Sequence, residues 1–251
     1  MPRTSRIDLE DTIRLVRERL EFVQIISDLN PQFLDHGLIR HMPDGGWTHP
    51  WIYFDSLRNY LLLTCFDLLG QPSEYKDFQS WLASSATASE RAAVIASMDQ
   101  ATGPIDAAAS LYRSYLDSYG SRQSFFRFIN SVIPDATREQ LLHSIMIRQI
   151  DPAKNLEIAK VESSDEKIKF LFGIRNIYTH QAKNTGSPSA GVFPNWNEWR
   201  VINGVPMKGY EPIKFVKRSA ERIDYCVRDW PDVLVRTVNT GIDVVERGSV
   251  D

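Results

Sequence analysis

Cysteine is scarce in this chain. There are two, Cys65 and Cys226, among 251 residues, each inside an apolar pattern. That excludes a disulfide framework and a cysteine-based metal site, and both read as small buried hydrophobes. Long apolar runs are also missing. The longest, YLLLTCF at 60–66, is followed at once by Asp67, so no membrane span is expected. MPRTSRIDLED at the N-terminus lacks the apolar centre of a signal peptide, which points to the cytoplasm. There is no glycine-rich phosphate loop, no serine nucleophile elbow, no paired-carboxylate motif and no internal repeat. His36, His41, His49, Asp35 and Asp44 crowd into DHGLIRHMPDGGWTH (35–49), but their spacing fits no common zinc pattern. The segment reads as a polar loop, and neither metal nor cofactor is expected.

A strong excess of positive charge is missing too, since the net charge is -3. Its distribution is uneven. From 167 to 228, eleven basic residues face four acidic ones, a local net of +7, which leaves -10 for the rest. A basic C-terminal third on an acidic body suits an anionic partner met locally.

What the chain does have is helical periodicity. Apolar residues recur at helical spacing over 8–30, with Asp8 placed as an N-cap. The stretch 50–72 is apolar all round, as expected of the centre of a bundle, with Gly70 and Pro72 as its stop. Further helices are expected over 73–83, from a Thr87/Glu90 capping box to about 100, then 104–120, 121–133 and 134–150. A second capping box, Ser163/Glu166, opens a helix over 163–183. WRVINGVPM (199–207) places Asn203-Gly204 between extended runs and predicts a β-hairpin. Two helices, 212–229 and 231–246, close the chain. The sum is an all-α bundle of about eight to ten helices with a small hairpin insertion, read as a single domain (1–251). Its N-terminal half, 1–160, is the looser part; 161–251 carries the chemistry below.

FGIRNIYTH (172–180) is where core-type positions give way to a polar strip. On a helical wheel Ile168, Phe170, Leu171, Ile174, Ile177 and Tyr178 share one side. Arg175, Thr179, Asn176 and His180 follow at roughly 40°, 80°, 140° and 180° from Leu171, and Lys169 lies on the same strip. The strip offers donors and one imidazole, with no carboxylate. That inventory suits RNA cleavage, in which the substrate supplies its own 2′-hydroxyl nucleophile. A histidine moves the proton near neutral pH, and an arginine fork steadies the phosphorane-like transition state.

Arg175-Asn176-Ile177-Tyr178-Thr179-His180 resembles the R-N-x-x-x-H signature of HEPN domains, helical bundles of prokaryotic toxins and phage-defence proteins. The resemblance implies a metal-independent endoribonuclease that pairs two motif helices across a homodimer. It casts His180 as acid/base, Arg175 as phosphate contact and Asn176 as the orienting residue, with Lys169, Thr179 and Lys183 against RNA. It also raises an antitoxin or regulatory protein as a partner. The alternative is a non-catalytic HEPN-like module that holds RNA, a nucleotide or a protein. Arg138 and His143 repeat the spacing, but Glu139 follows the arginine and would repel a phosphate. Arg58-Asn59 begins a similar pair with no histidine after it, and reads as a paired core arginine. Phe193, Trp196 and Trp199 read as loop anchors, with base stacking as the other use.

Overall fold

A helix that is apolar on every side has to be surrounded, and this requirement organises the molecule. The computed structural model describes residues 9–35, 40–41, 47–48, 51–72, 77–98, 103–154, 156–181, 201–202, 205–206, 210–218 and 221–248. Helix α1 (Leu9–Asp35) leads to β1 (Arg40–His41) and β2 (Trp47–Thr48), a short antiparallel pair. Helix α2 (Trp51–Leu69) is the apolar one. Leu62, Leu63, Cys65 and Phe66 are fully enclosed, and α2 packs against α1 and against α6 (Ser121–Arg127), α8 (Ser164–Gln181) and α9 (Asp232–Gly248). The expected bundle centre is therefore in place.

Between them run α3 (Phe78–Ala83), α4 (Ala88–Ala96), α5 (Pro104–Tyr119) and α7 (Asp135–His143). After α6 the backbone widens into a π turn over Phe128–Val132, where the Ile133 amide donates to the Phe128 carbonyl. The turn delivers Phe128 onto Phe66, with ring centroids 4.5 Å apart. Neighbouring backbones come close here. A Cβ on Gly70 would lie 1.9 Å from the Ser124 carbonyl oxygen, and one on Gly241 would lie 2.5 Å from the Phe128 ring. Gly70 is thus required by close approach to α6 rather than by a left-handed helix cap.

The described residues are mostly helical, and the hairpin expected near 199–207 is present as β5 (Val201–Ile202) against β6 (Val205–Pro206). Two helical expectations fail. Residues 212–229 form β7 (Tyr210–Arg218) and β8 (Glu221–Arg228), and the end of the expected 134–150 helix is β3 (Ile145–Asp151). With β4 (Leu156–Val161) they make an antiparallel sheet in the order β4-β3-β8-β7. The physical reason is period. Ile145, Ile147, Ile223, Tyr225 and Val227 recur every second residue and join the helical core, which no helix face would allow. The alternate residues face the other way. There Arg148, Ile150, Asp224 and Cys226 are fully buried, and Arg148 stands directly opposite Asp224.

Smaller departures concern helix starts. The 73–83 segment turns helical at Phe78, where the Asp77 side chain caps the Ser80 amide. The Thr87/Glu90 capping box does not form. Thr87 donates its hydroxyl to the Trp81 and Ser84 carbonyls, while Glu90 accepts from the Trp81 indole, so both tie α4 to α3. Asp8 lies outside the described residues.

Candidate functional site

α8 is held as its wheel dictates. Ile168, Phe170, Leu171 and Ile174 are buried. Phe170 stacks on Tyr225 of the sheet at 4.9 Å, and Phe172 meets Phe125 edge-on at 5.4 Å. Lys167, one of the basic residues counted above, leaves that surface. It is buried and donates to the Leu142 carbonyl at 2.9 Å, with burial pushing its pKa down.

Arg175 lies at the border of the buried stripe, about 40° from Leu171. It turns inward against α2. Its Nε and Nη2 donate to Oδ2 of Asp67 at 2.9 and 2.6 Å, and Nη1 donates to Asn176 Oδ1 at 3.1 Å. The Arg175 side chain is 15% exposed and that of Asp67 10%. The expectation of a strip without a carboxylate is corrected: α2 supplies one from 108 positions away. Glu166 supplies a second, accepting from the exposed Lys169 at 2.9 Å. Thr179 is exposed and donates its hydroxyl to the Arg175 carbonyl at 2.9 Å. His180 belongs to α8, and its side chain lies outside the described residues, as does Lys183.

The Asp67 environment is unusual. Burial is the largest influence and pushes its carboxyl up to about 6; Arg175, by charge and hydrogen bond, and Arg19 on α1 pull the other way. Asp67 Oδ1 and Arg19 Nη1 are both buried without a hydrogen-bond partner. Cys65, two residues earlier on α2, has its thiol pushed up to about 12 by burial and stays protonated. One guanidinium, that of Arg175, thus grips this carboxylate, while the charge of Arg19 also acts on it. A carboxyl whose folded pKa lies above its ordinary value costs the fold once it ionises. The folded state holds the proton more tightly, so Asp67's contribution declines as pH rises from about 4 through about 6. Relative to Asp67→Asn, the wild-type chain should therefore lose about 2–3 kcal/mol of stability between pH 4 and pH 7, since each tenfold gain in proton affinity is worth about 1.4 kcal/mol. Paired urea titrations across that range check it, and a flat difference would contradict it.

The other candidates fall into place around this one. Arg58 is half-buried and donates to the Ser27 hydroxyl at 3.0 Å, and Asn59 is buried. Arg138 pairs with Asp135 at 2.8 Å, and the backbone carbonyl of His143 accepts from the Tyr210 hydroxyl at 2.7 Å. Of the 35–49 segment, the β1–β2 pairing sets His41 opposite Trp47, while His36, His49 and Asp44 lie outside the described residues, as do Phe193, Trp196 and Trp199. Among the described residues no cluster of His, Cys, Asp or Glu could hold a metal, and no helix is long and apolar enough to cross a membrane. Both cysteines are buried.

No family model, curated protein or solved structure gives a match to this chain.

Proposed function

We propose that the chain is a HEPN-type, metal-independent endoribonuclease, a cytoplasmic toxin or phage-defence effector that works as a homodimer through α8. The observation that carries the reading is the pairing of Arg175 with Asn176, bonded to each other and braced from α2 by Asp67. The bracing holds the guanidinium in one orientation beside its orienting neighbour. Arg19 of α1 adds a second positive charge that acts on the same carboxylate, and positive charge at this junction suits a phosphate.

In this mechanism the RNA 2′-oxygen attacks the adjacent phosphorus while His180 takes its proton. The bond from phosphorus to the 5′-oxygen breaks, and that oxygen receives a proton from an imidazolium, leaving a 2′,3′-cyclic phosphate and a free 5′-hydroxyl. Arg175 steadies the charge on the non-bridging oxygens. Across a two-fold axis the partner copy's motif helix supplies the second imidazole. Lys169, Thr179 and Lys183 line the path of the strand, and an antitoxin or regulatory protein would act by covering it.

The test is cleavage of total RNA in EDTA. His180→Ala should lower the rate about 10²- to 10⁴-fold. Arg175→Ala should lower it about 10²- to 10³-fold, by analogy with the loss of one oxyanion donor. Cleavage that survives both variants sinks the reading. RNA bound by all three proteins but cut by none points instead to the non-catalytic module.

A further inference from the structure

We propose that Asp67 is the positioning residue of the site: it grips Arg175 by its Nε–Nη2 edge and so fixes the guanidinium for the scissile phosphate of RNA. The inference rests on the nuclease reading and adds to it a residue from a different helix, outside the motif.

The argument begins with the donor inventory of arginine. A guanidinium has five N–H groups in a rigid plane. Here Nε gives its one to Asp67 Oδ2, Nη2 gives one of two to the same oxygen, and Nη1 gives one of two to Asn176. Nη1 and Nη2 each keep one N–H. A side chain with four rotatable bonds is thereby fixed at both ends of its fork, and the donors that remain are the ones left for a ligand. Asp67 is itself fixed, as part of the most enclosed helix of the bundle, between Cys65 and Phe66 on one side and Leu69 on the other. The reaction can thus use an arginine whose reach and tilt are set before the substrate arrives.

The groups facing Asp67 agree with this assignment. Arg175 comes from α8 and Arg19 from α1, while Cys65 on α2 itself remains a neutral thiol. Nothing described competes with Arg175 for Oδ2. Near neutral pH the carboxyl is ionised, so the grip is a charge-assisted one.

The experiment is a double-mutant cycle on the full chain, read by cleavage of a short RNA in EDTA at pH 7.5. Asp67→Asn keeps the shape and loses the charge; it should lower kcat about 10- to 100-fold, with KM changed less than about threefold. Asp67→Glu should recover part of the loss. Arg175→Lys keeps a cation but cannot be gripped by a fork. In that background Asp67→Asn should cost nothing further, because Asp67 acts only through Arg175. Thermal unfolding of each variant, run beside the assays, confirms that the folded protein is being compared. Three results overturn the proposal. One is an Asp67→Asn variant at full rate beside an active wild type. Another is a pair of penalties that multiply. The third is a wild type inert toward RNA, which removes the nuclease reading as well.

Discussion

Asp224→Ala should remove about 3–5 kcal/mol of folding stability. Asp224 has no exposed side-chain surface and neither has Arg148, which faces it across β3 and β8 at 3.5 Å. Arg222 reaches the same carboxylate at 2.7 Å. Glu157 stands 3.8 Å from Arg148 Nη1, too far for a full hydrogen bond. Arg148 Nε and Nη1 already have no hydrogen-bond partner. Without Asp224, a buried guanidinium would lose its nearest counter-charge, and the desolvation of that cation is what the variant exposes. The informative companion is the double variant Arg148→Met/Asp224→Leu. It removes both charges and fills the space with apolar side chains, and should recover much of the loss. Urea unfolding of the three proteins decides the matter. A single variant that loses less than about 1 kcal/mol would mean that the charges are not isolated from water as their burial says.

Gly70→Ala comes next, at about 3 kcal/mol, the upper end of what overpacking usually costs. The added Cβ would meet the Ser124 carbonyl oxygen at 1.9 Å, its carbon at 2.8 Å and Phe128 Cβ at 2.9 Å. Two of the three are backbone, so no side-chain rotation relieves them. α2 and α6 would have to separate at the point where Phe66 packs between Phe125 and Phe128. Gly173 provides the contrast. It lies inside α8, and a Cβ there meets nothing within 4 Å. Gly173→Ala should stabilise the helix by up to about 1 kcal/mol, since glycine is a poor helix former. Thermal unfolding of the pair gives opposite signs if the packing is as described. Equal shifts would show that helix propensity, rather than contact with α6, governs Gly70.

The sequence disclosed the helical frame because its helices satisfy local rules. Gly103-Pro104 and Gly120 bound α5 where composition placed them, and the uniform apolarity of α2 already implied a surrounded position. The sheet was harder to read. In PIKFVKR and ERIDYCVR the period-2 alternation is present, but the buried phase includes Asp224, which breaks the apolar pattern on one face. IMIRQI conceals its period in the same way, because Arg148 is buried opposite that aspartate. A polar residue enclosed by a partner 76 positions away looks, in sequence, like a solvated one. The role of Asp67 is concealed in the sequence for the same reason. It closes an apolar run, and nothing local announces that Arg175 will be its partner. The Arg175-Asn176 pair, by contrast, was visible, since adjacent residues on a helix need no tertiary information to be neighbours.

The order of strands has one more consequence, for how the chain reaches this state. β3 pairs with β8 from Ile150↔Arg222 to Ile145↔Val227, partners 72 to 82 positions apart. α8, with Arg175 on it, lies wholly inside the loop that this pairing closes. Closing so long a loop carries an entropic cost before any contact compensates it, and pairings this distant in sequence slow folding. The hairpins β3–β4 and β7–β8 are local and can form early. Their union across the middle of the sheet is the pairing that its long separation makes slow, and it brackets the segment that presents Arg175 to Asp67. The helix that carries Arg175 is thus enclosed by a strand pairing whose two sides must find each other across 72 to 82 positions.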